Sequence, residues 1–164
     1  MKRIVVICFL LLLGFAVAQA CWQFSHLPAR VASRFDFAGR PVGWMSRATL
    51  FGWQLFGVLL VAGVLEGLAR LHRFMPEGNI NLPHRDYWLS PERRPATLDW
   101  LETMVRCSAC GILLLFIVLF HQVYRANTTP GNRTFATGLT LCAVLVGLAS
   151  LVIACWVRFG RRPS

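Results

Sequence analysis

Four apolar stretches, each long enough to cross a membrane as a helix, dominate this sequence. They cover 4–20, 48–69, 107–124 and 135–157, which are 17, 22, 18 and 23 residues. Because a helix rises about 1.5 Å per residue, each can cross a hydrocarbon core of roughly 30 Å, the first only just. Glu66, near one end of the second stretch, is the one charged residue within them. The sequence therefore predicts an all-α fold, an integral membrane four-helix bundle.

The segments between the spans are too short to form a second domain. With 164 residues and 56% hydrophobic side chains, we expect one membrane domain over 1–164, with an outer loop at 21–47 and an inner loop at 70–99. A soluble core of this size would alternate its apolar residues, whereas runs such as 112–120 are unbroken. Apolar periodicity from Thr97 onward predicts that the inner loop leads into one long third helix.

The basic residues predict the orientation. With the N-terminus inside, eleven Lys and Arg residues fall on the inner side and six on the outer side. This bias follows the positive-inside rule and predicts that both termini are cytoplasmic. The formal charge of +10 does not indicate nucleic acid as a partner, because the arginines gather at span ends rather than in one stripe. The partner that this distribution indicates is the lipid bilayer.

The first span admits two interpretations. Lys2 and Arg3, the apolar stretch and the residues just before Cys21 also fit a cleavable secretory signal. A retained helix and a cleaved signal both stay open. In either case the chain after residue 21 starts outside, so the predicted topology of the remaining spans is the same.

Signatures of catalysis and metal binding are missing from the sequence. It contains no Gly-rich phosphate loop, no His-Glu-x-x-His and no nucleophile elbow. Cys107 and Cys110 have the spacing of a redox or metal pair, but neither a second pair nor a neighbouring histidine accompanies them. We therefore predict no catalytic residue, no metal ligand and no cofactor. The sequence favours a protein that is not an enzyme without excluding one.

In the outer loop, one acidic residue stands among several arginines. Asp36 either caps a turn locally, or orients an arginine toward an anionic ligand or a lipid headgroup. Both interpretations stay open. The candidate ligand-binding residues of this loop are Arg34, Asp36, Gly39, Arg40 and Trp44.

The inner loop combines arginines with aromatic residues. This composition is typical of protein interfaces and equally typical of a loop lying against anionic lipid. A protein partner at this cytoplasmic loop is one of the two expectations. The candidate partner-binding residues are Asp86, Tyr87, Trp88, Glu92, Arg93 and Arg94.

Two further patterns concern helix packing. Glu66 and Arg70 are spaced one helical turn apart, which predicts a structural salt bridge. Gly63 with Gly67, and Ala143 with Gly147, are small-xxx-small pairs, which predict helix faces that meet within the bundle. A homo-oligomer that forms through the same faces is the competing use.

Two motifs carry a resemblance to a known family. They read Leu27-Pro28-x-x-Val31 with Phe35-Asp36-x-x-Gly39-x-Pro41-x-Gly43-Trp44-x-Ser46-Arg47, and Ile80-Asn81-Leu82-Pro83-x-x-Asp86-Tyr87-Trp88-Leu89-x-Pro91-Glu92-Arg93-Arg94. The chain thereby resembles the bacterial domain of unknown function 1648 family, which includes SdpI-related membrane proteins. The resemblance implies several helices with the first motif outside, and a multi-pass location in the bacterial inner membrane. Two positions depart from the family pattern: Arg34 replaces a histidine, and Val42 replaces an acidic or amide residue.

Three hypotheses for function follow. The leading one is a non-enzymatic membrane protein for sensing, immunity or signalling, with an outer loop that contacts a ligand and an inner loop that contacts a partner. The second is a small oligomeric transporter or channel element. The third is a membrane enzyme that acts on a lipid or an envelope precursor.

Overall fold

The computed structural model describes residues 2–36, 39–71, 74–76, 79–129 and 137–160. Helices account for most of them, as expected from the long apolar stretches. In chain order the elements are α1 (Lys2–His26), β1 (Arg30–Phe35), β2 (Pro41–Ser46), α2 (Arg47–Leu71), α3 (Arg85–Trp88), α4 (Arg94–Thr128) and α5 (Thr137–Phe159).

Three of the helices are long and apolar enough to cross a membrane. They are α1 and α2, with 25 residues each, and α4, with 35 residues. The first three predicted spans lie within them, and the predicted long third helix is confirmed. The fourth predicted span, 135–157, overlaps α5, whose described apolar stretch runs from Leu145 to Phe159. Its residues 135 and 136 lie outside the described part of the chain.

The core between α1, α2 and α4 is built around small side chains. Ala16, Ala62 and Ala109 are buried at its centre, together with Phe9, Val58 and Leu113. Alanine at these positions lets the helix backbones approach closely, which is how helices associate in lipid. The small-residue faces predicted to meet in the bundle are a different set, and the structure contradicts that prediction. Gly63, Gly67 and Gly147 are exposed, with no heavy atom within 4 Å of an added Cβ.

A two-stranded antiparallel sheet corrects the all-α prediction. β1 and β2 form a hairpin in which Arg30 pairs with Ser46 and Phe35 pairs with Pro41. The loop had shown no clear alternation, because the register shifts on both sides of Arg34 break it. Ser46 ends the hairpin and begins α2, since its hydroxyl accepts a hydrogen bond from the Thr49 amide at 3.0 Å.

The hairpin packs on the ends of three helices. We call this end of the bundle the hairpin end. Leu27, Val31 and Leu50 form a buried apolar cluster there, and Val123 and Tyr124 of α4 pack against it. The C-terminal ends of α1 and α4 and the N-terminal end of α2 therefore meet. Consequently α1 and α4 run parallel to each other and antiparallel to α2.

The opposite end of the bundle holds the inner loop. We call it the network end, because ion pairs between Arg106, Glu66 and Glu102 also lie there. Ile80, Leu89 and Leu98 form a third buried cluster, which fixes the loop against the first turns of α4. The α4 helix starts at Arg94, with Pro95 in its first turn, where proline loses no hydrogen bond. The Trp88 carbonyl accepts a hydrogen bond from the Thr97 hydroxyl at 2.9 Å. The loop is thus a folded extension of α4.

Because the core is packed around alanines, we expect a larger side chain at position 109 to destabilise it. Ala109→Leu adds volume where the side chain is 1% exposed, so we expect overpacking to lower the free energy of unfolding by about 1–3 kcal/mol. Gly111→Ala, two residues along the same helix, is the control because nothing lies within 4 Å of its added Cβ. Thermal unfolding in detergent should show a lower midpoint for the first variant only. Equal midpoints would contradict the alanine interface.

Candidate functional site

The turn of the hairpin is organised by Asp36. Its Oδ1 accepts a hydrogen bond from the Arg40 amide at 2.7 Å, and its own amide donates to the Arg40 carbonyl at 2.9 Å. Gly39 completes the turn with φ of 75°, a left-handed conformation that favours glycine. Among the described residues no salt bridge joins Asp36 to an arginine side chain. The geometry therefore matches the local, turn-capping interpretation of Asp36.

Three arginines of the hairpin have exposed side chains. Arg30, Arg34 and Arg40 are exposed, and within the described part of the chain none of them forms a salt bridge. Trp44 and Val42 on β2 are also exposed, at 53% and 61%. Arg34 pairs with Gly43, which lies between Val42 and Trp44, so Arg34 and Trp44 are on opposite faces of the hairpin.

Arg34 lies across the neighbouring strand at Gly43. A Cβ added to Gly43 would come within 2.5 Å of the Arg34 Nε, and the next two nearest atoms also belong to the guanidinium. Glycine at this position therefore makes room for the arginine. The close approach places the Arg34 guanidinium on the Gly43 side of the hairpin.

The hairpin is fastened to the helices through backbone groups. The Asn127 side chain of α4 accepts a hydrogen bond from the Ala32 amide at 2.7 Å and donates to the Ala32 carbonyl at 3.0 Å. It thereby pairs with β1 as a further strand would. On the other side, the Arg47 guanidinium donates to the Leu27 carbonyl at 3.2 Å and lies over the Phe24 ring. These contacts hold the hairpin against α4 and α2.

At the network end, the predicted inner-loop residues divide into exposed and packed groups. Asp86 and Glu92 are exposed, and so is Arg93, whose guanidinium lies 4.1 Å from the centre of the Tyr87 ring. Trp88 and Arg94 are half-buried. The structure brings the half-buried Tyr87 and the exposed Arg93 together.

Trp88 packs within an aromatic cluster that joins the loop to α5. The Phe159 ring is 1% exposed and makes edge contacts with Trp88 and Trp100, at centroid distances of 5.2 and 4.9 Å. The Arg158 guanidinium lies 5.1 Å from the Trp100 ring. Because Trp100 is near the start of α4, the end of α5 lies at the network end.

A buried arginine connects the carboxylates at this end. Arg106 of α4 is 8% exposed and binds Glu66 of α2 through two hydrogen bonds, of 3.0 Å from Nε and 2.8 Å from Nη2. Its Nη1 binds Glu102, one turn earlier on α4. Such a bidentate contact satisfies the planar guanidinium and both carboxylate oxygens.

More exposed charges complete this ion network. Arg70 binds Glu66 at 3.0 Å, which confirms the predicted salt bridge. Lys2 of α1 binds Asp99 and approaches Glu102 at 3.6 Å. Three cations therefore meet three carboxylates, and they join α1, α2 and α4. The geometry is that of a structural clamp, because every charge has an opposite partner.

Residues 6–58 match the family model described as Domain of unknown function (DUF1648). This match confirms the family resemblance. The matched segment covers most of α1, the hairpin and the first half of α2, so it includes the surface around Arg34. No curated protein and no solved structure matches the chain.

Sequence reasoning missed two residues that join separate elements. They are Arg106 at the network end and Asn127 at the hairpin end. Arg106 stands at the border of the third predicted span, where an arginine usually contacts headgroups, and only its spacing from Glu102 pointed to a pair. Asn127 belongs to a short polar segment without a recognisable partner in sequence. Metal binding finds no support in the described residues, where no group of three His, Cys, Asp or Glu side chains is placed to hold an ion.

The network predicts unequal roles for its arginines. Arg106→Leu leaves Glu66 and Glu102 without their shared buried partner, so we expect it to lower the free energy of unfolding by about 3–5 kcal/mol. Arg70→Leu removes a side chain that is 70% exposed, and we expect a change within about 1 kcal/mol. Chemical unfolding in mixed micelles measures both. Similar losses in the two variants would contradict the central position of Arg106.

The side chain of Asn127 should stabilise the hairpin through its hydrogen bonds to Ala32. Asn127→Ala removes both hydrogen bonds to Ala32, each worth about 0.5–1.5 kcal/mol. Amide hydrogen exchange at β1 should therefore accelerate, while exchange in the core of α4 stays unchanged. Thr128→Ala is the matched control, because the Thr128 hydroxyl donates only within its own helix, to the Tyr124 carbonyl. Faster exchange in both variants would point to fraying of α4 instead.

Proposed function

We propose that this is a non-enzymatic protein of the bacterial inner membrane that connects a ligand outside to a partner inside. One observation carries the proposal: the two motif-bearing segments fold as compact elements at opposite ends of the same three apolar helices. The hairpin would contact the ligand, and the inner loop would contact the partner. Sensing, immunity and signalling all need such a division between two faces.

The proposed orientation places the hairpin end outside and the network end in the cytoplasm. Lys2 contacts Asp99, so the N-terminal end of α1 lies at the network end. Phe159 contacts Trp100, so the C-terminal end of α5 lies there too. The excess of arginine on that side supports a cytoplasmic location. Four residues of the charge count, Arg73, Arg133, Arg161 and Arg162, lie outside the described part of the chain. With α5 as a fourth crossing, both termini are cytoplasmic.

The inner loop has the properties of a contact surface. Asp86, Glu92 and Arg93 are exposed beside Tyr87, and their backbone is held by the buried cluster below them. A rigid arrangement of arginine and tyrosine costs little conformational entropy on binding. A protein partner in the cytoplasm is the occupant that we propose for it.

Cysteine labelling tests the orientation. In a background with the native cysteines replaced by alanine, Ser46→Cys should react with a membrane-impermeant maleimide on intact spheroplasts. Glu92→Cys should react only after lysis. Both residues are exposed, so access to reagent depends on the side of the membrane. The reverse pattern would overturn the proposed function.

Affinity purification in mild detergent tests the inner contact. We expect a specific protein to copurify with the wild type and to be lost in the double variant Asp86→Ala/Arg93→Ala. Arg70→Ala, which removes an exposed charge from α2 at the same end, is the control that should retain it. A preparation that contains only this chain and lipid, identical in all three, would contradict the inner-partner role.

A small transporter or channel element is the second candidate, and buried amides favour it. Gln23 and Gln54 are 0% and 3% exposed and lie between the two apolar clusters of the bundle. Both amide atoms of Gln23 lack a hydrogen-bond partner within the described residues. Polar groups buried in membrane helices often mark a transport path. A Na⁺, K⁺ or H⁺ flux in proteoliposomes that Gln23→Leu abolishes would support this candidate, and leakage no faster than in empty vesicles would count against it.

A further inference from the structure

The hairpin carries positive charge that the described part of the protein does not neutralise. The segment 30–47 contains four arginines and one acidic residue. That residue, Asp36, uses its Oδ1 for the Arg40 amide, and Arg47 is held at the Leu27 carbonyl. Arg30, Arg34 and Arg40 remain exposed, without a salt bridge among the described residues. An anionic group outside the protein is therefore the natural counterion.

The helices place these arginines at the depth of lipid headgroups. An α-helix of 25 residues is about 37 Å long, which exceeds a hydrocarbon core of roughly 30 Å by only a turn or so. α2 starts at Arg47, directly after the last residue of β2, and three residues separate α1 from β1. The hairpin therefore cannot move far from the membrane surface.

Aromatic side chains near the same end support this depth. Trp22 and Trp53, near the ends of α1 and α2, are 51% and 63% exposed, and Trp44 on the hairpin is 53% exposed. Tryptophan is enriched where headgroups meet acyl chains, because its ring is both apolar and able to donate a hydrogen bond. The exposed Trp44 fits that boundary.

We propose that the three exposed arginines of the hairpin, Arg30, Arg34 and Arg40, bind the phosphate groups of anionic phospholipids in the outer leaflet. We call them the hairpin arginines. The inference rests on the proposed function, because it needs the hairpin outside. Among them, Arg34 has its guanidinium against Gly43 of the neighbouring strand. Arginine can bind a phosphate through two parallel hydrogen bonds, which a lysine cannot do.

The membrane is favoured over an acidic protein segment for two reasons. The hairpin has no spacer that would lift it clear of the headgroups, so lipid phosphates are always within reach. The hairpin also exposes two apolar side chains, Val42 and Trp44, which gain by entering the interface. A protein ligand would have to displace these lipids first.

Lipid retention tests the proposal on the purified full-length protein. After reconstitution with equal parts of phosphatidylcholine and phosphatidylglycerol, native mass spectrometry gives the ratio of the two lipids that stay bound. Wild type should retain phosphatidylglycerol preferentially. Arg34→Gln should lower that preference by about fivefold, the weight of one interfacial basic residue.

Two more variants separate a positioned arginine from diffuse charge. Gly43→Ala keeps every charge and displaces only Arg34 side-chain atoms, so it should also lower the preference. Arg125→Gln removes an equal charge from an exposed position of α4 at the hairpin end, and should change the preference less. Equal effects of Arg34→Gln and Arg125→Gln, with none for Gly43→Ala, would overturn the proposal.

Other outcomes are equally informative. No preference for phosphatidylglycerol in wild type, with the hairpin labelled from outside, would overturn the lipid assignment and leave the proposed function intact. An acidic protein that copurifies with wild type and is lost in Arg34→Gln, while lipid ratios stay equal, would make that protein the partner of the hairpin arginines. Labelling of Ser46→Cys only after lysis would remove the proposed function and, with it, the outer-leaflet assignment.

Discussion

The pairing of Arg106 with Glu66 and Glu102 sets the arrangement of the whole helical core. A charge buried among apolar helices is very costly unless an opposite charge and hydrogen bonds surround it. Glu66 and Arg106 come from different helices, so α2 and α4 have one register in which both are satisfied. That register also brings Ala62 and Ala109 into the shared apolar core. Lys2 extends the same constraint to α1.

The two ends of the bundle are held by different kinds of interaction. At the network end, side-chain charges determine which helices meet, and the aromatic cluster around Phe159 adds α5. At the hairpin end, backbone groups of Ala32 and Leu27 receive side chains from α4 and α2. The helices are thus joined at the network end, and the hairpin packs on their opposite ends.

The sequence predicted those features whose cause is local. Unbroken apolar runs give the three long helices, and the spacing of Glu66 and Arg70 gives their salt bridge. The hairpin escaped prediction because register shifts flank Arg34 and because β1 is bound by Asn127, 95 residues beyond Ala32. The same holds for Arg106, whose partner Glu66 is 40 residues away. Asp36 was recognised as a residue of interest, and only the structure showed that its carboxylate belongs to the turn.

The ion network has a consequence for biosynthesis. Ribosomes deliver the chain from its N-terminus, so α2 leaves the ribosome before Arg106 does. During that interval Glu66 has Arg70 on its own helix, and Lys2 has neither Asp99 nor Glu102. The early helices are therefore held together mainly by apolar contacts until α4 arrives. Arg70, which is 70% exposed in the finished fold, would then act as a temporary counterion that keeps Glu66 compatible with lipid while the protein is assembled.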